Sequence, residues 1–98
     1  MASRADLEKI TDKLEQAYAI LAYSGAPARR LTTVRTLLRP FHSGDLPTSA
    51  TRVLWMYIGE TMLRLGGGVA TSEELHSLGH QIRQLRDMIH AHLAHAAG

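Results

Sequence analysis

The chain has 98 residues, of which 45% are hydrophobic and 20% are charged, and it contains no cysteine. A chain of this length supports one modest core, so we predict a single domain over residues 1–98. The absence of cysteine excludes a disulfide scaffold, a cysteine-based zinc site and a thiol nucleophile. A net charge of +2 does not by itself indicate a nucleic acid or an acidic membrane surface as the partner.

The N-terminus does not resemble an export signal. Asp6 and Glu8 fall where a signal peptide needs an unbroken apolar run. No later apolar stretch reaches the length that a membrane-spanning helix needs. We therefore predict a cytoplasmic protein with no membrane association.

Glycine and proline divide the chain into four blocks, with breaks at 25–27, 40–47 and 66–68. Each block has the apolar periodicity of a helix, and none alternates as a strand does. The predicted fold is all-α: a compact bundle of about four helices, with heptad-like apolar seams on the first and last helices. We expect this bundle to form a homodimer, because a small chain cannot easily bury wide apolar faces by itself.

The first helix has a clear start and a narrow apolar seam. Ser3 is a candidate N-cap, and Asp6 stands three residues further on, where a capping box needs it. The predicted core positions follow a spacing of three and four residues: Leu7, Ile10, Leu14, Ala17 and Leu21.

The second helix begins at Pro27 and stops before Pro40. Its predicted core stripe consists of Leu31, Val34, Leu37 and Leu38. The remaining faces of this helix carry arginines without any acidic residue, which gives a basic patch: Arg29, Arg30, Arg35 and Arg39. We predict that this patch steers an acidic partner electrostatically, with binding to nucleic acid as the less favoured use.

The connection over 40–47 is rich in turn-forming residues, and we expect its Phe41 and Leu46 to pack on the core. Thr48 or Ser49 can cap the third helix, which ends at the glycines 66–68.

The third helix has an apolar arc wider than a single core contact needs. Gly59 in its middle costs about 1 kcal/mol relative to alanine, which close approach of another helix would offset. We predict that this arc forms the dimer or partner interface through Trp55, Met56, Gly59, Met62 and Leu63.

The fourth helix starts with Thr71 and Glu74 at capping-box spacing. Its predicted core seam continues in steps of three and four residues to the C-terminus: Leu75, Leu78, Ile82, Leu85, Ile89, His92 and Ala96. On this pattern His92 is a buried, hydrogen-bonded core histidine.

His76 and His80 are four residues apart, which lets two imidazoles reach one metal ion. The HExxH motif is absent, and a third ligand would have to come from Glu73, His42 or another subunit. We therefore predict two solvent-facing histidines, no metal site and no cofactor. No nucleophile elbow, phosphate-binding glycine loop or paired-carboxylate motif is present either.

The segment over 86–92 resembles the arginine, spacer and histidine motif of the HEPN ribonuclease family, whose domains are small, all-helical and dimeric. That resemblance would make Arg86 and His92 a catalytic pair. A regular helix places residues at this spacing about 240° apart, and the segment departs from the family because its helix ends shortly after His92. We therefore predict no catalytic residue.

The second and third helices do not match a DNA-binding helix-turn-helix motif, because the connection over 40–47 is too long and the third helix is too apolar to contact DNA bases. In size and helical layout the chain resembles the small helical anti-activators and adaptors of bacteria, such as the quorum-sensing anti-activators, which bind a transcription factor and block its dimerisation. That resemblance implies a non-enzymatic interaction module that inhibits or escorts a partner protein. The alternatives are a HEPN-like ribonuclease, a DNA-binding regulator and a secretion chaperone.

Overall fold

The computed structural model describes residues 3–23 and 25–97, and this part of the chain contains four α-helices and no strand. The helices are α1 (Arg4–Ala22), α2 (Pro27–Leu38), α3 (Ser49–Gly66) and α4 (Ser72–Ala97), with a 3-10 turn over Ser43–Asp45. The prediction of an all-α fold with four helices is confirmed. The packing of these helices as a dimer stays a prediction.

Capping boxes mark the starts of α1 and α4 where the sequence predicts them. At α1 the Ser3 backbone N–H donates to the Asp6 carboxylate, and the Asp6 N–H donates to the Ser3 hydroxyl, both at 3.1 Å. The bond from the Ser3 N–H holds the pKa of the Asp6 carboxyl below its usual value. At α4 the reciprocal bonds between Thr71 and Glu74 measure 3.0 and 3.1 Å.

The starts of α2 and α3 depend on different residues. Pro27 occupies the first turn of α2, where a backbone N–H has no acceptor within the helix and its absence in proline costs no hydrogen bond. The N-cap residue of α2, Ala26, has no side-chain acceptor. Thr48, rather than Ser49, caps α3: the Thr51 N–H donates to its hydroxyl at 3.1 Å.

The core lies mainly between α1 and α4, which make the most extensive helix contact, while α2 packs on α1 and α3 packs on α4. The burial predicted for α1 and for most of α4 is confirmed. The buried residues of these two helices include Leu7, Ile10, Leu14, Ala17, Leu21, Leu75, Leu78, Ile82, Leu85 and Ile89.

The predicted seam of α4 is wrong at its end. His92 is only half-buried, and Leu93, 7% exposed, takes the core position instead. A straight helix has about 3.6 residues per turn, so the positions of a strict seven-residue repeat rotate around it by about 20° per heptad. By the end of α4 this rotation places the residue four positions after Ile89, rather than three, on the buried face. Ala96 lies in a segment whose side chains fall outside the described residues.

The connection between α2 and α3 packs on the bundle as predicted. Leu46 is buried and Phe41 is partly buried against the same core. Arg52 on α3 reaches back and donates from Nε to the Leu46 carbonyl at 3.1 Å. This connection therefore fixes α3 next to the C-terminal end of α2. Among the helices of the described residues, none is both long and apolar enough to cross a membrane.

Candidate functional site

A groove opens between α2 and α3 with a volume of about 260 Å³. We call it the α2–α3 groove, and it is lined by Arg35, Leu38, Arg39, Phe41, Trp55, Gly59, Met62 and Leu63. Four of the five residues predicted for the interface line this groove, and so do two of the four arginines predicted to steer a partner.

The floor of the groove is apolar because it is the outer edge of the core. Leu38 and Met62 are buried core residues, and Trp55 is partly buried against them. Phe41, which lies in the connection after α2, completes the floor of the groove and packs against the core. These side chains are held by the folded core, so the groove exists before any ligand arrives.

Gly59 widens the groove. The expectation that another helix approaches it closely is wrong within this chain, because a Cβ built on Gly59 has no neighbouring atom within 4 Å. The missing side chain instead leaves open space next to Trp55 and Leu63, where an incoming side chain can come close to the backbone of α3.

The outer surface of α3 continues the apolar character of the groove toward solvent. Met56 is 61% exposed and stands beside the groove rather than in it, while Leu63 at the rim is 72% exposed. Val53 and Tyr57 on the same helix are 67% and 54% exposed. Such a run of exposed large apolar side chains on one helix is typical of an interaction surface.

Two arginines stand at the groove near the C-terminal end of α2: Arg35 lies in its last turn and Arg39 directly follows the helix. Arg35 and Arg39 are four residues apart and both exposed, and neither forms an ion pair with any described residue. The Arg35 guanidinium lies across the backbone of Gly66, with Nη1 2.9 Å from the place where a Cβ of that glycine would stand. A glycine at the end of α3 thus makes room for this guanidinium.

The other two predicted arginines have different surroundings. Arg29 is exposed and does not line the groove. Arg30 is half-buried, and its Nη1 donates to the carbonyls of Leu21 and Tyr23 at 2.9 and 2.8 Å. Arg30 therefore caps the C-terminal end of α1. The last turn of α1 contains no basic residue, a sequence signal that could have indicated a cation supplied from elsewhere.

His76 and His80 lie on the exposed face of α4, as predicted, with their Nε2 atoms 3.1 Å apart. Among residues 3–23 and 25–97, no group of three or more histidine, aspartate or glutamate side chains is placed to hold a metal ion. Neither Glu73 nor His42 therefore completes a three-ligand set with this pair.

The Arg86 and His92 side chains face different surroundings on α4. Arg86 pairs with the Asp87 carboxylate at 2.8 Å and lies 3.7 Å from that of Glu15 on α1. His92 instead lines a cavity of about 120 Å³ next to Leu7 and the connection after α2, and Arg86 is not part of its lining. The structure does not bring this pair together at one cavity.

Comparison with protein-family models, with curated protein sequences and with solved structures gives no match to this chain.

Proposed function

We propose that this chain is a non-enzymatic interaction module that binds an acidic, apolar segment of a partner protein in the α2–α3 groove. By binding, it inhibits or escorts that partner, and the resemblance to bacterial anti-activators makes a transcription factor the expected class. The observation that best supports the proposal is the combination of an open apolar floor with two exposed arginines, Arg35 and Arg39, that have no acidic partner among the described residues.

The positive charge around the α2–α3 groove favours an acidic segment as its ligand. Arg35 and Arg39 line the groove, and the exposed positions of α3 add Arg52 and Arg64 against a single acid, Glu60. This excess of positive charge favours a segment that carries carboxylates beside its apolar side chains. An amphipathic helix fits this requirement, since it presents apolar residues on one face and acids along its edges.

A second copy of this chain is the competing occupant, because the predicted homodimer uses the same residues of α3. A symmetric dimer through this surface would set one positively charged patch against the same patch of the other copy, which opposes association. Sedimentation at high micromolar concentration separates the two cases. A dimer that Trp55→Ala weakens by more than about 1 kcal/mol would confirm the predicted homodimer at this surface, and it would contradict the acidic segment as the occupant of the groove.

Binding rates test the acidic occupant directly. The probe is a synthetic amphipathic helical peptide with leucines along one face and glutamates at its flanks. Replacing both groove arginines, Arg35→Gln with Arg39→Gln, should slow association and reduce its dependence on salt. Leu63→Ser removes an exposed apolar contact at the rim and should mainly speed dissociation.

Matched controls lie outside the groove. Arg29→Gln removes one exposed arginine and Val69→Ser removes one apolar side chain that is 96% exposed, and neither residue lines the groove. We expect both variants to bind the peptide with unchanged rates. If the control variants weaken binding as much as the groove variants do, the peptide binds elsewhere and the proposed site is wrong.

A further inference from the structure

The imidazoles of His76 and His80 form a close pair on α4, and neither residue lines the α2–α3 groove. Their Nε2 atoms are 3.1 Å apart, their ring centroids are 4.6 Å apart, and the ring planes meet at 85°. Both residues are exposed, and they follow one another by one helical turn. The two nitrogens therefore lie next to each other at one place on the exposed surface of α4.

We propose that His76 and His80 together chelate one divalent transition-metal ion of the zinc, nickel or copper class through their Nε2 atoms. A metal–nitrogen bond is about 2.0–2.1 Å long, so two nitrogens at the observed separation subtend roughly 100° at the metal. That angle lies between the right angle of square-planar or octahedral sites and the tetrahedral angle of zinc sites. To bind one ion, the two rings keep this separation of their Nε2 atoms and turn from facing each other until both lone pairs face the ion.

The chemistry of the donors selects the ion. Imidazole nitrogen suits zinc, copper and nickel, whereas calcium and magnesium prefer oxygen ligands. Both Nε2 lone pairs must be free for the ion, so each neutral ring carries its proton on Nδ1 and the hydrogen bond between the rings is given up. Water fills the remaining coordination positions, since the described residues supply no third protein ligand.

The neighbouring charges leave the pair accessible. Arg83, three residues after His80, directs its guanidinium toward the ring of Tyr18 on α1, 5.5 Å from the ring centroid. Glu73, three residues before His76, adds an exposed negative charge that attracts cations. The sequence prediction of no metal site rested on the missing third ligand, and the proposed two-imidazole chelate departs from that prediction because it does not need one.

Calorimetric titration of the 98-residue chain with zinc chloride tests this site. We expect one zinc ion per chain, with His76→Gln and His80→Gln each weakening the affinity by at least about tenfold, equivalent to about 1.4 kcal/mol. The matched control combines His80→Gln with Gln84→His, which keeps the number of histidines but separates the two imidazoles by about 12 Å along the helix. It should bind zinc as weakly as His80→Gln alone.

His90→Gln removes an exposed histidine outside the pair and should leave zinc binding unchanged. Nuclear magnetic resonance identifies the ligands independently: zinc should shift the ring signals of His76 and His80, and magnesium should not. The proposal is overturned if His76→Gln binds zinc as tightly as the native chain, if the control with the displaced histidine retains native affinity, or if the His90 ring is the one that responds.

Discussion

Replacing Arg30 by methionine separates a structural arginine from the arginines of the groove. Arg30→Met keeps the apolar stem of the side chain and removes the guanidinium, whose Nη1 donates to the carbonyls of Leu21 and Tyr23 at 2.9 and 2.8 Å. These carbonyls lie at the C-terminal end of α1, where helical partners are missing and a positive charge is favourable.

The expected loss of stability follows from these two bonds. A hydrogen bond from a charged donor is worth about 1.5–3 kcal/mol when it is shielded from water. The bond to Leu21 is partly buried and the bond to Tyr23 is exposed, so the second adds little to the first. We therefore expect Arg30→Met to lower the free energy of unfolding by about 2 kcal/mol. In a domain of this size that corresponds to a fall in Tm of roughly 10 °C.

Urea and thermal unfolding, followed by far-ultraviolet circular dichroism, measure this loss. Arg29→Met is the matched control, because Arg29 is the neighbouring exposed arginine, and it should change stability by less than about 0.5 kcal/mol. Arg30→Lys should fall between the two, since lysine keeps the charge but not the planar fork of donors. Equal stabilities of Arg30→Met and Arg29→Met would refute the assignment of Arg30 to the end of α1.

Three further outcomes concern the whole fold. Ile82→Ala should cost about 2–5 kcal/mol in urea unfolding, because Ile82 is fully buried between helices, and a loss below about 1 kcal/mol would contradict its central place. The Asp6 carboxyl has a pKa lowered in the folded state, so its contribution to stability is present above its unfolded pKa and is lost as the pH falls through the folded value. Asp6→Asn should therefore flatten the dependence of the free energy of unfolding on pH below about 4. If this dependence is the same in the variant as in the native chain, the capping box does not make the expected contribution. Dialysis against a strong chelator should leave the far-ultraviolet circular dichroism intact, because apolar packing defines the helices; cooperative loss of helix would show that folding depends on a metal.

Local chemistry made the helix boundaries predictable. Capping boxes at Ser3 and Thr71, Pro27 in a first turn and the glycines 66–68 all act within a few residues, and the structure places each as the sequence predicts. The apolar spacing likewise identified most of the core, because a residue's position around a helix depends only on its position along the chain.

Features that depend on how helices meet were not predictable in the same way. Both His92 and Leu93 lie near the edge of the buried face of α4. The drift of the helix favours Leu93 for the core, and the packing against α1 and the connection leaves His92 half-buried. The destination of Arg30 depends on the end of α1 lying beside α2, which no local pattern encodes. The groove itself arises where the C-terminal end of α2, with Arg35 and the C-cap residue Arg39, comes beside Trp55 of α3.

Trp55 reports most directly on binding in the α2–α3 groove, because it is the only tryptophan of the chain and it lines this groove. The measurement is a fluorescence titration of the native chain with two tryptophan-free amphipathic peptides that share one leucine face and carry either glutamates or lysines at their flanks. We expect a saturable blue shift of Trp55 emission with the acidic peptide, weaker at high salt, and no saturable change with the basic one. An equal response to both peptides, or none to the acidic peptide, would contradict the proposed binding of an acidic segment.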